Sequence, residues 1–277
     1  MLRAGKLGYG YTMNPRIGFV LASLLSIAAS AENTQAWAAD QPNSVAPAPK
    51  PPSDPAARYE WCIHLAKTRP DDGWEAALTW TGEGGGEPAR HCAAVALIGL
   101  KQYKEAGQRL EELARDSFAD AAIRAGMLAQ AGQAWILADN IDRAYADQTT
   151  ALQLMPGVPD LLIDRAESLA LSQNWKEAKA DLDAALAKAP NRADALVYRA
   201  TAERFLGDLA AAANDIGRAL TLDGTSEDAW LESGVIRRLR GDDAGARRDW
   251  QHVLELAPAS PAAEAARTNI ERLDVKP

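Results

Sequence analysis

The chain has 277 residues, 47% apolar and 25% charged, which is ordinary for a folded soluble protein with ample material for a core. A formal net charge of −8 argues against nucleic acid as a partner, because that binding draws on clustered Lys and Arg to release counterions. Abundant alanine with few Phe and Tyr favours close helix-on-helix packing over sheets, so an all-α fold is expected.

The first segment reads as a secretory signal: Arg3, Lys6 and Arg16 precede the apolar run 17–29, and small residues follow. That run is about 13 residues, short of the roughly 20 a membrane-spanning helix needs, so cleavage is expected in preference to a retained anchor. Two A-x-A sites are available, Ala29-Ser30-Ala31 and Ala36-Trp37-Ala38, and Met13 is an alternative start. The second site is favoured because Asp40 and a Pro-rich stretch follow it, giving a signal peptide over 1–38 and a periplasmic or secreted protein. Lipid attachment would need a cysteine directly after cleavage, and the first is Cys62. Losing 1–38 removes more basic than acidic groups, so the mature chain is more acidic still. Residues 39–56, rich in Pro and Ala and poor in large apolar groups, read as a flexible tail. Further on, Gly84-Gly85-Gly86 lacks the Gly-Lys-Ser/Thr of a phosphate-cradling loop and reads as a turn.

From residue 125 to 260 the sequence repeats with a period of 34. Ala166, Ala200 and Gly234 are so spaced, as are Ala178, Ala212 and Ala246, and Leu162, Leu196 and Trp230; Gly132, Ala144 and Ala151 extend the series upstream. Turn signals fall between paired helices at Asp139-Asn140, Gln173-Asn174, Gly207-Asp208 and Gly241-Asp242. Pro156, Pro190 and Pro258 end second helices, with Gly224 in the equivalent place. Residues 262–273 read as one more amphipathic helix, over the exposed edge of the last unit.

This pattern resembles the tetratricopeptide-repeat (TPR) family, with small residues at repeat positions 8, 20 and 27, large apolar ones at 4, 11 and 24, and Pro at 32, for units starting at Ala125, Pro159, Ala193 and Glu227. The resemblance implies a TPR-type helical-hairpin solenoid, a right-handed superhelix with a capping helix over 261–274. Carried upstream, it gives two atypical units over 57–124. One starts near Glu87, with Ala94 at position 8 and Ala106 at position 20. The other is a shortened unit with helices over 58–68 and 72–80, and His64 at the small position 8.

In this alignment Cys62 and Cys92 both fall on position 6 of neighbouring first helices, which lie side by side. With an export signal and an even cysteine count, a disulfide between them is expected, two free buried thiols being the alternative. Cys62, His64, His91 and Cys92 are common zinc ligands, but residues two apart on a helix differ by roughly 200° and adjacent ones by roughly 100°, so no metal site and no other cofactor is expected.

In the family, first-helix positions 2, 5, 9, 12 and 13 line a concave groove. The implied lining here includes Ile163, Glu167, Leu171, Val197, Thr201, Arg204, Phe205, Leu231, Val235, Arg238 and Leu239, which would seat a protein or peptide segment; packing between repeats is the other reading of each. Modules that capture acidic C-terminal tails carry Lys at 5 and Asn at 9. Here those positions are Ala129, Ile163, Val197 and Leu231, and Gln133, Glu167, Thr201 and Val235, so that ligand class is not expected. Arg237, Arg238, Arg240, Arg247 and Arg248 read as a solvated face, with an acidic partner as the alternative. Asp181 with Asp183, and Asp242 with Asp243, likewise read as solvated. No catalytic constellation is present in the sequence, so a non-enzymatic scaffold or adaptor is expected; the rivals are a structural or self-associating envelope subunit and, remotely, an enzyme using groove carboxylates.

Overall fold

The computed structural model describes residues 50–275; the expected signal peptide and most of the expected tail lie outside them. The described residues form thirteen α-helices and no strand, in two compact units, 50–164 and 165–275. The first unit holds α1 (Pro55–Thr68), α2 (Pro70–Gly82), α3 (Gly86–Gly99), α4 (Tyr103–Asp116), α5 (Ala121–Leu137), α6 (Ile141–Leu154) and the start of α7 (Pro159–Leu171). The second holds the rest of α7, then α8 (Trp175–Lys188), α9 (Ala193–Phe205), α10 (Leu209–Leu222), α11 (Glu227–Leu239), α12 (Asp243–Leu256) and α13 (Pro261–Asp274). Within the first unit α1 packs on α2 and α3, α2 on α3, and α3 to α6 each on the next; in the second, α8 to α13 do the same, with α11 also touching α9 and α13. Sequential pairing, with next-but-one contacts from α1 to α3, α9 to α11 and α11 to α13, is the signature of stacked helical hairpins.

Local chemistry fixes the helix ends. Asp54, Asn140, Asp208, Ser226, Asp242 and Ser260 are N-caps whose side chains accept from the backbone N–H three residues on. The hairpin turns share one geometry: Lys101, Asp139, Gln173, Gly207 and Gly241 all take positive φ, between 59° and 88°. In each, the following N–H reaches back to a carbonyl five residues earlier, as in Asn140 to Trp135 and Asp242 to Arg237, closing the helix end. Helix α5 begins at Ala121, one turn ahead of the repeat boundary read at 125.

The repeat's small positions have a packing cause. Ala106, Ala144, Ala178, Ala212 and Ala246 are fully buried. Position 8 is matched to position 24 of its own unit: a Cβ on Gly132 would overlap Gln148, and one on Gly234 would overlap the Trp250 indole. Where position 24 is the branched aliphatic Leu182 or Ile216, position 8 is Ala166 or Ala200. The capping helix contributes Ala262, Ala263 and Ala266 to a cluster with Leu231, Ala246, Trp250 and Val253.

A second periodic set is polar and interior. Asp147, Asp181, Asp215 and Asp249 recur every 34 residues and are all buried. Asp181 takes a two-pronged contact from Arg165, 2.7 Å on each arm, and is an interior ion-pair member, correcting its reading as a solvated residue. Arg199 does the same for Asp215 and adds a 2.8 Å contact to Asp183, tying α8, α9 and α10 together. Asp249 accepts from Ser233 at 2.6 Å and pairs with Arg237 at 2.8 Å. In the remaining copy the position equivalent to Arg165 is Ala131, so Asp147 faces Glu111 instead.

Candidate binding groove

Cys62 and Cys92 are bridged, with Cα atoms 6.0 Å apart and both side chains fully buried. The bridge joins α1 to α3 beside a row of polar groups on the first helices. Tyr59, one turn before Cys62, places its hydroxyl 2.8 Å from Nδ1 of His91, and Nε2 of His91 lies 3.0 Å from Oε1 of Gln130. One residue from each of α1, α3 and α5 thus forms a single polar chain. The amide oxygen of Gln130 can only accept, so the network assigns the imidazole proton to Nε2, and Nδ1 accepts from the Tyr59 hydroxyl. Burial pulls the His91 pKa below its ordinary value and pushes that of Tyr59 up, so both are neutral at pH 7.

Around this chain opens a cavity of about 470 Å³, lined by Tyr59, Glu87, Pro88, His91, Ala119, Ile123, Gly126, Met127 and Gln130. Its walls are mostly apolar, with Ile123 half exposed and Phe118 fully exposed beside it on the α4–α5 turn. Glu87 sits at the rim, accepting from Ser117 at 2.7 Å. The NH₂ of Gln130 and the oxygen of Tyr59 retain donor and acceptor capacity toward a ligand. A second cavity, between α10 and α11, is lined in part by Ile216, Leu220, Ile236 and Arg237, whose guanidinium is already paired to Asp242 and Asp249.

The groove residues expected from the repeat register fare differently. Ile163, Glu167, Val197, Thr201 and Leu231 are buried and present little more than an edge to solvent; for these, interior packing is the physical assignment. Arg204 is interior too: its guanidinium grips the buried Glu232 at 2.5 and 3.3 Å and covers the Phe205 ring. Phe205 stacks on Trp175 at 3.9 Å between ring centres and keeps part of its surface exposed. Leu171 and Val235 are half-buried, Leu239 is exposed, and Arg238 pairs with Asp243 at 2.7 Å. The basic cluster is therefore substantially neutralised, since Arg237 meets Asp242 and Asp249 and Arg247 meets Asp274. Asp242 is solvent-exposed in its turn, as read, and also caps α12.

His91 and its neighbours lie outside the regular units, and so outside the lining expected from them. Carried upstream, the same position rule places Pro88 at position 2 and His91 at position 5 of the unit starting at 87, and Gly126 at position 2 of the unit starting at 125. Among the described residues no three His, Cys, Asp or Glu side chains gather as metal ligands, and no helix is long and apolar enough to cross a membrane.

No protein-family model and no curated protein matches the sequence. Solved structures do. MamA from Desulfovibrio magneticus RS-1, from residue 41 to its end, is 21% identical over 62% of this chain and 96% of its own, with a TM-score of 0.54. The TPR protein TTC0263 of Thermus thermophilus is 17% identical over 68% and 98%, at 0.55. A tetratricopeptide-repeat protein from Parabacteroides merdae ATCC 43184 is 14% identical over 78% and 84%, at 0.60. At these identities the likeness is one of fold, and the fold is that of a TPR helical solenoid.

Proposed function

We propose that this TPR solenoid is a periplasmic scaffold, exported through residues 1–38, that seats an extended segment of a protein partner in the groove of α1, α3 and α5. The observation that carries the reading is the groove itself. Apolar walls offer burial at about 25 cal/mol per Å², and the Tyr59–His91–Gln130 chain holds a donor and an acceptor at fixed places for a peptide backbone. The Cys62–Cys92 bridge suits an oxidising compartment and holds α1 against α3, so the groove is set before a ligand arrives. A binding role suits the groove better than a chemical one, because its histidine is neutral and committed on both ring nitrogens.

Affinity capture from an envelope extract tests the groove, comparing the wild type with Ile123→Asp and with Leu222→Asp as an exposed control on α10. A protein held by the wild type and the control but lost by Ile123→Asp is the expected result; equal capture by all three overturns the reading. Intact mass of the exported chain tests the compartment, with a mature start at residue 39 and a two-dalton deficit for the bridge as the expected outcome.

A further inference from the structure

We propose that the trough between α10 and α11 is a second docking site, which takes a short amphipathic helix of a partner protein with a carboxylate side chain at the edge of its apolar ridge. The repeat register shows what makes the trough. Where α8 meets α9, the positions equivalent to its walls hold Lys179, Asp183, Arg199 and Glu203. Asp183 bridges Lys179 at 2.9 Å and Arg199 at 2.8 Å, and Lys179 lies 3.7 Å from Glu203, so that junction is filled by its own ions. One repeat on, the same four positions are Ala213, Gly217, Ser233 and Arg237. Three are cut back to small side chains, and a guanidinium stands where Glu203 has its carboxylate. A Cβ on Gly217 would meet nothing within 4 Å, and a cavity of about 480 Å³ opens over the apolar Ile216, Leu220 and Ile236.

Charge selects the partner. Arg237 is held by Asp242 at 3.0 Å and by Asp249 at 2.8 Å. Arg240, on the same wall and exposed, has no ion pair or side-chain hydrogen bond among the described residues. Arg248 stands near enough to act on the Asp242 carboxylate as well. Three guanidinium groups thus face two carboxylates, a cationic mouth on a chain whose formal net charge is −8, and an entering carboxylate supplies the missing partner of Arg240.

Shape selects a helix. Residues 213, 217 and 220 of α10 and 233, 237 and 240 of α11 follow helical spacing, so each wall is one helix face about 10 Å long at roughly 1.5 Å per residue. A valley of that length between two packed helices seats two turns of a third, whose i, i+3, i+4 and i+7 side chains fill it. An extended segment would bring in backbone N–H and C=O groups that find few partners, because the Ser233 hydroxyl is already donated to Asp249 and Arg237 is paired. A helix satisfies its own backbone.

Two hydrocarbon-stapled helical peptides of about four turns serve as probes. Both carry leucines at i, i+3, i+4 and i+7, and they differ at one edge residue, glutamate in the first and lysine in the second. Each is titrated into the mature chain from residue 39 while the methyl resonances of Ile216, Ile236 and, as a reference, Ile123 are followed. The glutamate peptide should shift Ile216 and Ile236 and bind at least about tenfold more tightly than the lysine peptide. Arg240→Glu should reverse that preference. Gly217→Leu, which puts a better helix former into open space, should melt no lower than the wild type and bind neither peptide. Resonances of Ile216 and Ile236 unmoved by the glutamate peptide, equal affinity for the two peptides, or a preference unchanged in Arg240→Glu overturns the proposal. Shifts at Ile123 in place of Ile216 and Ile236 would put the peptide in the α1–α3–α5 groove and overturn it too, as would equally tight binding of an unstapled, proline-interrupted version.

Discussion

At the residue scale, two charged groups show how burial changes what a side chain can do. Arg204 and Glu232 are both almost wholly buried and grip each other through two contacts. Desolvating two ions costs much of what their attraction returns, but removing one leaves the other buried without that partner. Arg204→Ala should therefore destabilise the 165–275 unit by about 3–5 kcal/mol, while Arg204→Met with Glu232→Leu should come close to neutral, both read by urea denaturation.

Asp147 is the reverse case, a buried carboxyl with no Arg at the repeat position that serves Asp181 and Asp215. Burial, and then the neighbouring Glu111 carboxylate, push its pKa up to about 8, against a pull downward from Arg143 and Trp135. The folded state then holds a proton that the unfolded chain has released, so stability falls as pH rises from the ordinary carboxylate range through about 8. Asp147→Asn, which keeps the shape without the charge, should flatten that slope and leave the variant the more stable protein above the shifted pKa, as thermal melts across pH would show.

At the scale of the element, helix pairs nest because a small side chain on one faces a large one on the other. Gly234 lies against Trp250, whose indole N–H donates to the Leu231 carbonyl at 3.1 Å. Gly234→Ala, which elsewhere would favour a helix, should here push the indole off that carbonyl and cost about 1–3 kcal/mol by overpacking. The equivalent Ala200, facing Ile216, marks how much room the fold leaves when the opposing residue is smaller. A chemical-denaturation midpoint lower for Gly234→Ala than for wild type checks the sign.

At the scale of the whole molecule, the two units differ in what holds them. The second relies on repeated ion pairs and on α13 packed over its last hairpin. The first contains the shortened leading hairpin, and there a covalent link between α1 and α3 does part of the same task. A loop of this length constrains the unfolded chain by roughly 3–4 kcal/mol, so Cys62→Ser with Cys92→Ser should lower stability by about that much. Because the bridge lies beside Tyr59 and His91, the loss should also broaden the His91 imidazole signals, with little change in resonances from 165–275.

The 34-residue period, the turns at Asp139, Gln173, Gly207 and Gly241, the Cys62–Cys92 pairing and the capping helix were all legible in the sequence. Each is a local or periodic property: a small residue where helices cross, a residue able to take positive φ, a cysteine on equivalent faces of adjacent helices. The site was not legible in the same way. Whether a position on a first helix faces a ligand or its neighbour depends on side-chain length and on what the next helix brings, as Arg204 shows by turning inward to Glu232. The Tyr59–His91–Gln130 chain joins residues 32 and 39 positions apart, and the buried Asp181 and Asp215 answer to arginines 16 positions away. Periodicity determined that helices stack; only the packed structure decided which polar groups that stacking buries as partners and which it leaves lining a groove.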